Sequence, residues 1–338
     1  MPKAFILGVA GLELSDGERR LIAESSPAGL ILFARNIATA EQVRGLVSAF
    51  RSAAGTDRAL VLVDQEGGRV QRLKPPVASR LPPAAAYAAH FPGDLQRAQR
   101  AAWLVARLVA EELQTLGIDM DCAPVLDVPV PGAHDIIGNR AFAADPVVVT
   151  SLGRAFAEGL MAGSVVPVVK HVPGHGRAFA DSHLELPVVD APREVLEQTD
   201  LVPFRALSHL PAAMTAHVVY PALDPARPAS TSAIVVREIV RGWCGFDGLL
   251  MSDDLGMRAM TGTFAERTRA VLEAGSDLAL HCSGQLAEMR EVAASAPVLA
   301  GRSLTRYEAA LAIAARTPLN YDREAARSTL AELVARTS

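Results

Sequence analysis

Short apolar runs alternate with longer amphipathic segments along most of the chain. The apolar runs lack regular polar alternation and are rich in branched residues, as is typical of strands buried on both faces: residues 5–9, 29–33, 60–63, 118–122, 165–169, 212–216, 249–251 and 278–280. The amphipathic segments between them predict helices over residues 16–25, 39–53, 95–116, 145–162, 192–208, 232–243, 265–274 and 285–294.

Eight strand–helix units in series predict a single (β/α)8 barrel, a closed parallel sheet with helices outside. An open, doubly wound sheet is the alternative that the same alternation allows. Two further segments, 303–316 and 323–335, predict C-terminal helices on the outside of a barrel core spanning about residues 4–300. Because no repeat or linker divides residues 1–338, one domain is expected.

Residues 165–190, VVPVVKHVPGHGRAFADSHLELPVVD, change abruptly from apolar to polar. Lys170 and His171 stand where the buried strand would end, and the prolines and glycines after them predict a loop. This loop carries Asp181 and His183, whose spacing places both side chains on the same side of an extended segment. In that arrangement a carboxylate can hold an imidazole by one nitrogen and raise its basicity.

Other polar side chains also follow directly after predicted strands. The carboxyl ends of barrel strands share one face, so these residues are expected to meet at a common rim. They are the segment Asp64-Gln65-Glu66-Gly67-Gly68-Arg69-Val70-Gln71-Arg72, then Asp127, Asp135, Asn139, Arg140, His217, Asp253, Asp254 and His281. Each has a structural explanation when taken alone, such as a turn or a helix cap, but together they predict a functional site.

Composition narrows the class of protein. Half of the 338 residues are hydrophobic and 21% are charged, which is typical of a folded chain with a large core. A net charge of −4 without a Lys/Arg block argues against nucleic acid or a membrane as partner. The distant cysteines Cys122, Cys244 and Cys282 favour a reducing compartment, and the apolar N-terminus is interpreted as a first strand, not a signal peptide. No apolar stretch is long enough to span a membrane.

Two reaction classes could use such a rim. In glycoside hydrolysis, Asp253 at a strand end would attack the sugar, and His183 held by Asp181 would donate and accept the proton. Metal-dependent hydrolysis is the alternative, although the first strand ends in Gly8-Val9-Ala10-Gly11, which offers no ligand. A barrel that binds sugar without catalysis is a third possibility.

Three motifs together resemble the bacterial β-N-acetylhexosaminidases of glycoside hydrolase family 3, of the NagZ type. They are Lys-His-x-Pro-Gly-His-Gly followed by Asp-Ser-His, the Asp64–Arg72 segment, and Ser252-Asp253-Asp254-Leu255. The resemblance implies a retaining mechanism with Asp253 as nucleophile and the dyad of His183 and Asp181 as acid/base. It further implies that the sugar is bound by Asp64, Arg72, Arg140, Lys170 and His171.

The same resemblance implies a substrate and a cellular role. The expected substrate is terminal β-linked N-acetylglucosamine on 1,6-anhydro-N-acetylmuramic acid, with or without peptide, released during cytoplasmic peptidoglycan recycling. No cofactor and no metal are implied, and a monomer is expected. Because a neutral imidazole repels an anion less than a carboxylate does, interception of the glycosyl-enzyme by phosphate is a further hypothesis.

Overall fold

In the computed structural model, residues 1–182 and 185–336 are described. Among them, eight parallel strands close into a barrel in which the last strand pairs with the first. In chain order the barrel strands are β1 (Lys3–Gly8), β2 (Pro27–Leu32), β3 (Leu60–Val63), β4 (Met120–Asp121), β5 (Val166–Val172), β6 (Ala212–Thr215), β7 (Leu249–Asp254) and β8 (Leu278–His281). The predicted (β/α)8 barrel is therefore confirmed, and the apolar N-terminus forms β1.

Helices surround the barrel and bury one apolar face each. They span Asp16–Ser25, Ala40–Ala54, Ala85–His90, Leu95–Thr115, Pro146–Ala162, Arg193–Gln198, Val202–Ala206, Val235–Trp243, Phe264–Glu273, Leu286–Ser295, Gly301–Ala314 and Arg323–Ala335. Side-chain caps start several of them, as where Ser15 and Glu18 form a capping box at the first helix. Within the described residues, no helix is long and apolar enough to cross a membrane.

The alternation along each strand divides the core into two apolar layers. Residues such as Ile6, Leu62 and Met251 form one cluster inside the barrel, whereas their neighbours such as Leu7 and Val61 pack against the helices. In several strands, inward-facing and outward-facing side chains keep alternating beyond the last inward apolar residue. This alternation therefore determines which polar side chains at the strand ends face the barrel axis.

Three local features differ in detail from the predictions. The single helix over residues 192–208 is two helices, because the backbone of Thr199, with φ −132° and ψ −78°, leaves the helical region. The segment Val235–Trp243 is π-helical. The helix Gly301–Ala314 does not lie on the outer layer alone, since Tyr307 and Ile313 join the interior cluster and close the amino-terminal end of the barrel.

Two short antiparallel ribbons at the carboxyl end of the barrel have no counterpart in the sequence prediction. Gln65–Gly67 pairs with Val70–Gln71, and Val219–Tyr220 pairs with Asp224–Pro228. The first ribbon turns at Gly67 and Gly68, which have positive φ angles of 98° and 56°. A Cβ on Gly67 would lie 2.2 Å from the carbonyl oxygen of Pro82, so the ribbon needs glycine for its close packing.

Candidate active site

A cavity of about 440 Å³ opens at the carboxyl ends of the strands. Six of the residues predicted from the sequence to bind or react lie in its wall: Asp64, Arg72, Arg140, Lys170, His171 and Asp253. Apolar side chains complete it, among them Ile31, Phe33, Met214 and Leu280 from the strand ends. A concave site with an apolar lining and a few convergent polar groups has the character of a small-molecule pocket.

Lys170 is the central cation of this cavity. It follows Val166 and Val168 on the inward side of β5, so the alternation of the strand directs its side chain along the barrel axis. The Nζ atom lies 2.8 Å from Oδ1 of Asp64 and 2.7 Å from Oε1 of Glu66. Burial alone would lower the pKa of this amine, but the two carboxylates outweigh burial and raise it. Lys170 is therefore charged and held in one position.

Two arginines extend this charge network. Arg140 donates two hydrogen bonds of 2.8 Å to the carboxylate of Glu66, and Arg72 donates one of 2.9 Å to Asp64. Burial would raise the pKa values of Asp64 and Glu66, yet the surrounding cations hold both below their usual values. Three cations thus face two ionised carboxylates, and the polar wall is rigid before any ligand arrives.

Glu66 was predicted to lie on the rim as part of the Asp64–Arg72 segment, but it was not among the residues predicted to bind the sugar or to react. A signal for it was present, since Lys170, Arg140 and Arg72 were all predicted to enter one cavity with Asp64. Three cations, of which Lys170 and Arg140 are buried, cannot be balanced by one carboxylate, and burying an unpaired charge is costly. The requirement for a second carboxylate therefore points to Glu66, two residues after Asp64 on the adjoining ribbon.

Asp253 and Asp254 end β7 and differ in environment. Asp253 lies two residues after the inward-facing Met251, and its Oδ1 accepts a 2.8 Å hydrogen bond from the backbone N–H of Asp254. The carboxylate of Asp254 instead accepts the backbone N–H groups of Gly256 at 2.9 Å and Cys282 at 3.0 Å. Asp254 therefore stabilises the turn after β7, whereas Asp253 presents its carboxylate to the cavity.

The electrostatic surroundings keep Asp253 ionised. Burial would raise the pKa of this carboxyl, but the imidazoles of His171 and His217, the N–H of Asp254 and the charge of Lys170 together lower it. Among the described residues, no side chain donates a hydrogen bond to it. An ionised carboxylate with an uncommitted oxygen at the wall of a cavity is a competent nucleophile or base.

Two histidines, His171 and His217, lie close enough to Asp253 to lower its pKa, and hydrogen bonds hold each of them in place. His171 is held through Nδ1, which lies 2.7 Å from Oδ2 of Asp127. His217 donates from Nε2 to the carbonyl oxygen of Asp254 at 3.0 Å and accepts at Nδ1 from Ser230 at 2.7 Å. Burial lowers the pKa of His217, so it is a neutral imidazole at neutral pH.

The loop after β5 is anchored at several points. Tyr220 donates a 2.7 Å hydrogen bond to the carbonyl oxygen of Gly174, and Arg177 donates one of 2.6 Å to Asp200. A Cβ on Gly176 would lie 2.1 Å from the carbonyl oxygen of Val128, so glycine permits this close approach. These contacts bring the loop against the cavity.

The predicted acid/base dyad belongs to this loop. Ser182 lies in the cavity wall, with Oγ 3.2 Å from Nε2 of His175, and the carbonyl oxygen of Asp181 accepts a 3.0 Å hydrogen bond from the N–H of Glu185. Asp181 is thus placed next to a cavity residue. His183 lies outside the described residues.

His281 was predicted to stand on the rim, and this was wrong. It follows the inward-facing Leu280 and therefore points outward from β8, where its ring packs 4.8 Å from that of Phe264. Its Nε2 lies 3.0 Å from Oγ of Ser283 and 3.3 Å from Oε2 of Glu288. His281 therefore ties the end of β8 to the following helix.

The described residues contain no group of three or more histidine, cysteine, aspartate or glutamate side chains arranged to hold a metal ion. All three cysteines are buried and free, as predicted. Burial raises the pKa values of Cys122 and Cys282 well above that of an ordinary thiol, so neither is a thiolate at neutral pH.

Comparison with known proteins places this site in a family. The family model described as the glycosyl hydrolase family 3 N terminal domain matches residues 3–307. A beta-hexosaminidase from Alkalilimnicola ehrlichii is 42% identical over 282 residues, which cover 82% of this chain and 80% of that relative. Another beta-hexosaminidase, from Xanthomonas euvesicatoria pv. vesicatoria, is 40% identical over 321 residues, covering 94% and 93% of the two chains.

A solved structure is similar over the whole length. NagZ from Neisseria gonorrhoeae, in complex with N-trifluoroacetyl-D-glucosamine, superposes with a TM-score of 0.86 and is 32% identical. The match covers 100% of this chain and 98% of that protein.

Proposed function

The chain belongs to glycosyl hydrolase family 3, and we propose that this β-N-acetylhexosaminidase is a retaining enzyme that removes terminal β-linked N-acetylglucosamine from peptidoglycan fragments. The observation that carries the mechanism is the environment of Asp253. Of the carboxylates in the cavity wall, Asp64 and Glu66 are bound by cations and Asp254 is bound by backbone N–H groups. Within the described part of the chain, Asp253 and Asp254 each keep one oxygen without a hydrogen bond, and of the two Asp253 is the buried one, on the inward side of β7 two residues after Met251.

In the first step of the proposed reaction, a carboxylate oxygen of Asp253 forms a bond to the anomeric carbon. The bond from that carbon to the leaving oxygen breaks, and this oxygen takes a proton from His183. In the second step water attacks the same carbon, gives its proton to His183 and releases Asp253. Two inversions at one carbon retain the β configuration.

His183 is proposed as the acid/base together with Asp181, as the family resemblance implies. Its preceding neighbour, Ser182, lies in the wall of the same cavity as Asp253, which supports delivery of a proton from this loop. A histidine suits the role because its ordinary pKa is near neutrality, so it can both give and take a proton there.

The charge network around Lys170 is proposed to bind the sugar. Carboxylate oxygens of Asp64 can accept hydrogen bonds from hydroxyl groups, while Lys170, Arg72, Arg140 and His171 can donate them. Because each of these charges is already paired, the pocket needs little reorganisation when a neutral sugar enters. A pocket closed by the barrel floor on one side favours attack on the terminal sugar of a chain.

The natural substrate is proposed to be N-acetylglucosamine linked to 1,6-anhydro-N-acetylmuramic acid, with or without a peptide. The similarity to NagZ and the family motifs support this choice. Three buried, free thiols suit a reducing compartment, so we place the enzyme in cytoplasmic cell-wall recycling and propose that it acts as a monomer on this small carbohydrate.

The direct test is hydrolysis of a chromogenic β-N-acetylglucosaminide and of the proposed disaccharide by the wild type, Asp253→Asn and Asp254→Asn. Loss of the nucleophile should lower kcat by roughly 10⁴-fold, which is the scale seen when a covalent catalyst is removed. Asp254→Asn is the matched control, since an amide oxygen can still accept a backbone N–H. Equal losses in both variants, or an active Asp253→Asn enzyme, would contradict the assignment.

The same assay addresses the metal-dependent alternative. Incubation with a chelator should leave the wild-type rate unchanged, because none of the proposed steps uses a metal. A rate that falls with chelator and returns with added zinc would instead support metal-dependent hydrolysis.

A further inference from the structure

Asp127 lies beneath the cavity and has none of the roles proposed so far. It is fully buried in the segment after β4, yet its carboxylate accepts three hydrogen bonds. Oδ2 lies 2.7 Å from Nδ1 of His171, and Oδ1 accepts the backbone N–H groups of His171 at 3.1 Å and His175 at 2.7 Å. Three bonds to one carboxylate are more than a turn cap requires.

These bonds determine which nitrogen of His171 carries a proton. Burial would raise the pKa of Asp127, but His171, His175 and the backbone N–H groups lower it to about 2, so the carboxylate is ionised. An ionised carboxylate only accepts hydrogen bonds, and Nδ1 of His171 must therefore be protonated. Nε2 is then the nitrogen that His171 presents to the cavity shared with Asp253.

The same carboxylate also reaches the loop of the proposed acid/base. It holds the backbone of His175, whose Nε2 lies 3.2 Å from Oγ of Ser182. One buried side chain thus contacts both a neighbour of the proposed nucleophile and the start of the loop that leads to Asp181. The ring centroids of His171 and His175 lie 5.8 Å apart at an angle of 67°, so the two imidazoles pack edge to face.

We propose that Asp127 is a positioning residue of the glycosidase reaction, which fixes the proton of His171 on Nδ1 and anchors the acid/base loop at His175. This inference rests on the proposed function, since it assigns a task to a group that supports the same cavity. The resemblance gave His171 a role in binding sugar. The hydrogen bond with Asp127 holds that imidazole in one orientation and one tautomer.

Other charged and titratable groups around this pair set the expected pH dependence. Asp127 is faced by His171, His175, Tyr220 and Arg140, and Asp253 is faced by His171, His175, His217, Lys170 and Asp254. Tyr220 and Arg140 both have raised pKa values, so neither changes its charge near neutral pH. Altering Asp127 should therefore act on Asp253 through the two imidazoles that face both carboxylates, His171, whose ring Asp127 binds directly, and His175.

The test compares Asp127→Asn with Asp200→Asn. In the first variant, the new side-chain amide would offer an N–H to Nδ1 and so move the proton of a neutral His171 to Nε2. Asp200 is the matched control because it is also a buried carboxylate that anchors this loop, through Arg177, and it makes no contact with His171 among the described residues. Both variants should weaken the loop, but only the first should change the tautomer.

Two readouts distinguish these effects. Nitrogen-15 NMR of the histidines, with His171 assigned from a His171→Gln variant, should show Nδ1 protonated in the wild type and in Asp200→Asn, and Nε2 protonated in Asp127→Asn. In kinetics, Asp127→Asn should lower kcat at least about tenfold beyond Asp200→Asn, with the acidic limb of kcat/KM shifted to higher pH.

The NMR readout of the wild type keeps the inference testable without activity, and even if Asp127→Asn does not fold. A wild-type His171 that is neutral with its proton on Nε2 would overturn it, as would equal kcat values and equal acidic limbs in the two variants. An inactive wild type would instead contradict the proposed function and leave the tautomer measurement to decide the role of Asp127.

Discussion

At the level of single residues, the site depends on how each charge in the cavity is partnered. Lys170 bridges Asp64 and Glu66, Arg140 binds Glu66 through two bonds, and no cation of the described residues binds Asp253 in this way. Removing one member of a buried ion pair strands the other charge and is costly, so this wall is fixed in composition as well as in shape. The proposed reacting carboxylate thus differs from Asp64 and Glu66 in having no cation bound to it, and from Asp254 in lying on the inward side of β7.

Sequence motifs predicted the residues of the cavity wall better than the residues that support them. Asp64, Lys170 and Asp253 could be found because each follows a buried apolar run at the carboxyl end of a strand. The choice between Asp253 and its neighbour Asp254 could also have been made from the period of two, counting from Met251. Asp127 could not be assigned in this way, because its partners belong to another strand and become neighbours only when the barrel closes.

A prediction for His183 separates proton donation from a structural role. In His183→Ala, a substrate whose leaving group has a low pKa needs little protonation and should keep part of its rate, whereas one with a high pKa should lose about 10²- to 10⁴-fold in kcat. The measurement is the slope of log kcat against leaving-group pKa over a series of aryl β-N-acetylglucosaminides.

Ser182→Ala supplies the control for this series. It removes the hydroxyl near Nε2 of His175 and should lower kcat by a similar factor for every substrate in the series. If His183→Ala also lowered kcat by the same factor for every substrate, proton transfer from His183 would be ruled out.

At the level of elements, the strand ends hold the residues proposed to react and also a buried residue that destabilises the folded state. Strands and most helices were predicted within a few residues, because buried runs and amphipathic segments leave a clear pattern. The antiparallel ribbon of Gln65–Gly67 and Val70–Gln71 was not, since its strands are too short for periodicity to register. Its glycines fit against Pro82 and Pro83, a contact between distant segments that one-dimensional patterns do not contain.

At the end of β4, a buried carboxyl group, Asp121, should lower the free energy of unfolding as pH rises. Asp121 is fully buried, its Oδ1 accepts a 2.9 Å hydrogen bond from the N–H of Gln65, and its Oδ2 has no partner among the described residues. Burial, opposed only in part by that N–H and by Lys170, raises the pKa of Asp121 to about 8. The folded state therefore retains a proton that the unfolded chain releases near pH ~4.

The sign of the resulting pH dependence follows from this difference. Between about pH 4 and pH 8 the unfolded state binds fewer protons at this site, so stability falls as pH rises, at up to about 1.4 kcal/mol per pH unit. Asp121→Asn removes the titration and should raise the free energy of unfolding at about pH 8 by more than at about pH 4, as measured by urea denaturation at both pH values. An equal effect at both would show that Asp121 has an ordinary pKa.

At the level of the whole molecule, residues 316–336 pack on helices outside the barrel, and none of them lies in the wall of the cavity. In the helix Leu95–Thr115, Arg107 donates hydrogen bonds of 3.1 and 2.8 Å to the carbonyl oxygen of Leu319. Its guanidinium also lies 4.4 Å from the ring centroid of Tyr321. The barrel architecture was predicted from the sequence, but this link joins residues 212 positions apart and was not.

Arg107→Ala tests whether the C-terminal segment contributes to stability without affecting activity. Loss of two part-buried hydrogen bonds and a stacked ring should lower the free energy of unfolding by about 2–3 kcal/mol, measured by denaturant titration, while kcat/KM stays within about twofold. Arg323→Ala is the control, because that side chain is 56% exposed and solvent screens its ion pair with Glu111, so its loss should leave the free energy of unfolding nearly unchanged. A large loss of kcat/KM in Arg107→Ala would show that the C-terminal segment and the cavity are coupled.

In the proposed mechanism Asp253 forms a covalent bond to the sugar. This bond can be observed by mass spectrometry of the enzyme after reaction with an activated 5-fluoro N-acetylglucosaminyl fluoride, a substrate designed to form the glycosyl-enzyme faster than water releases it. We expect one added sugar, located by peptide mapping on Asp253. An adduct on Asp254, or a wild type that hydrolyses the natural disaccharide with inversion and no adduct, would contradict it.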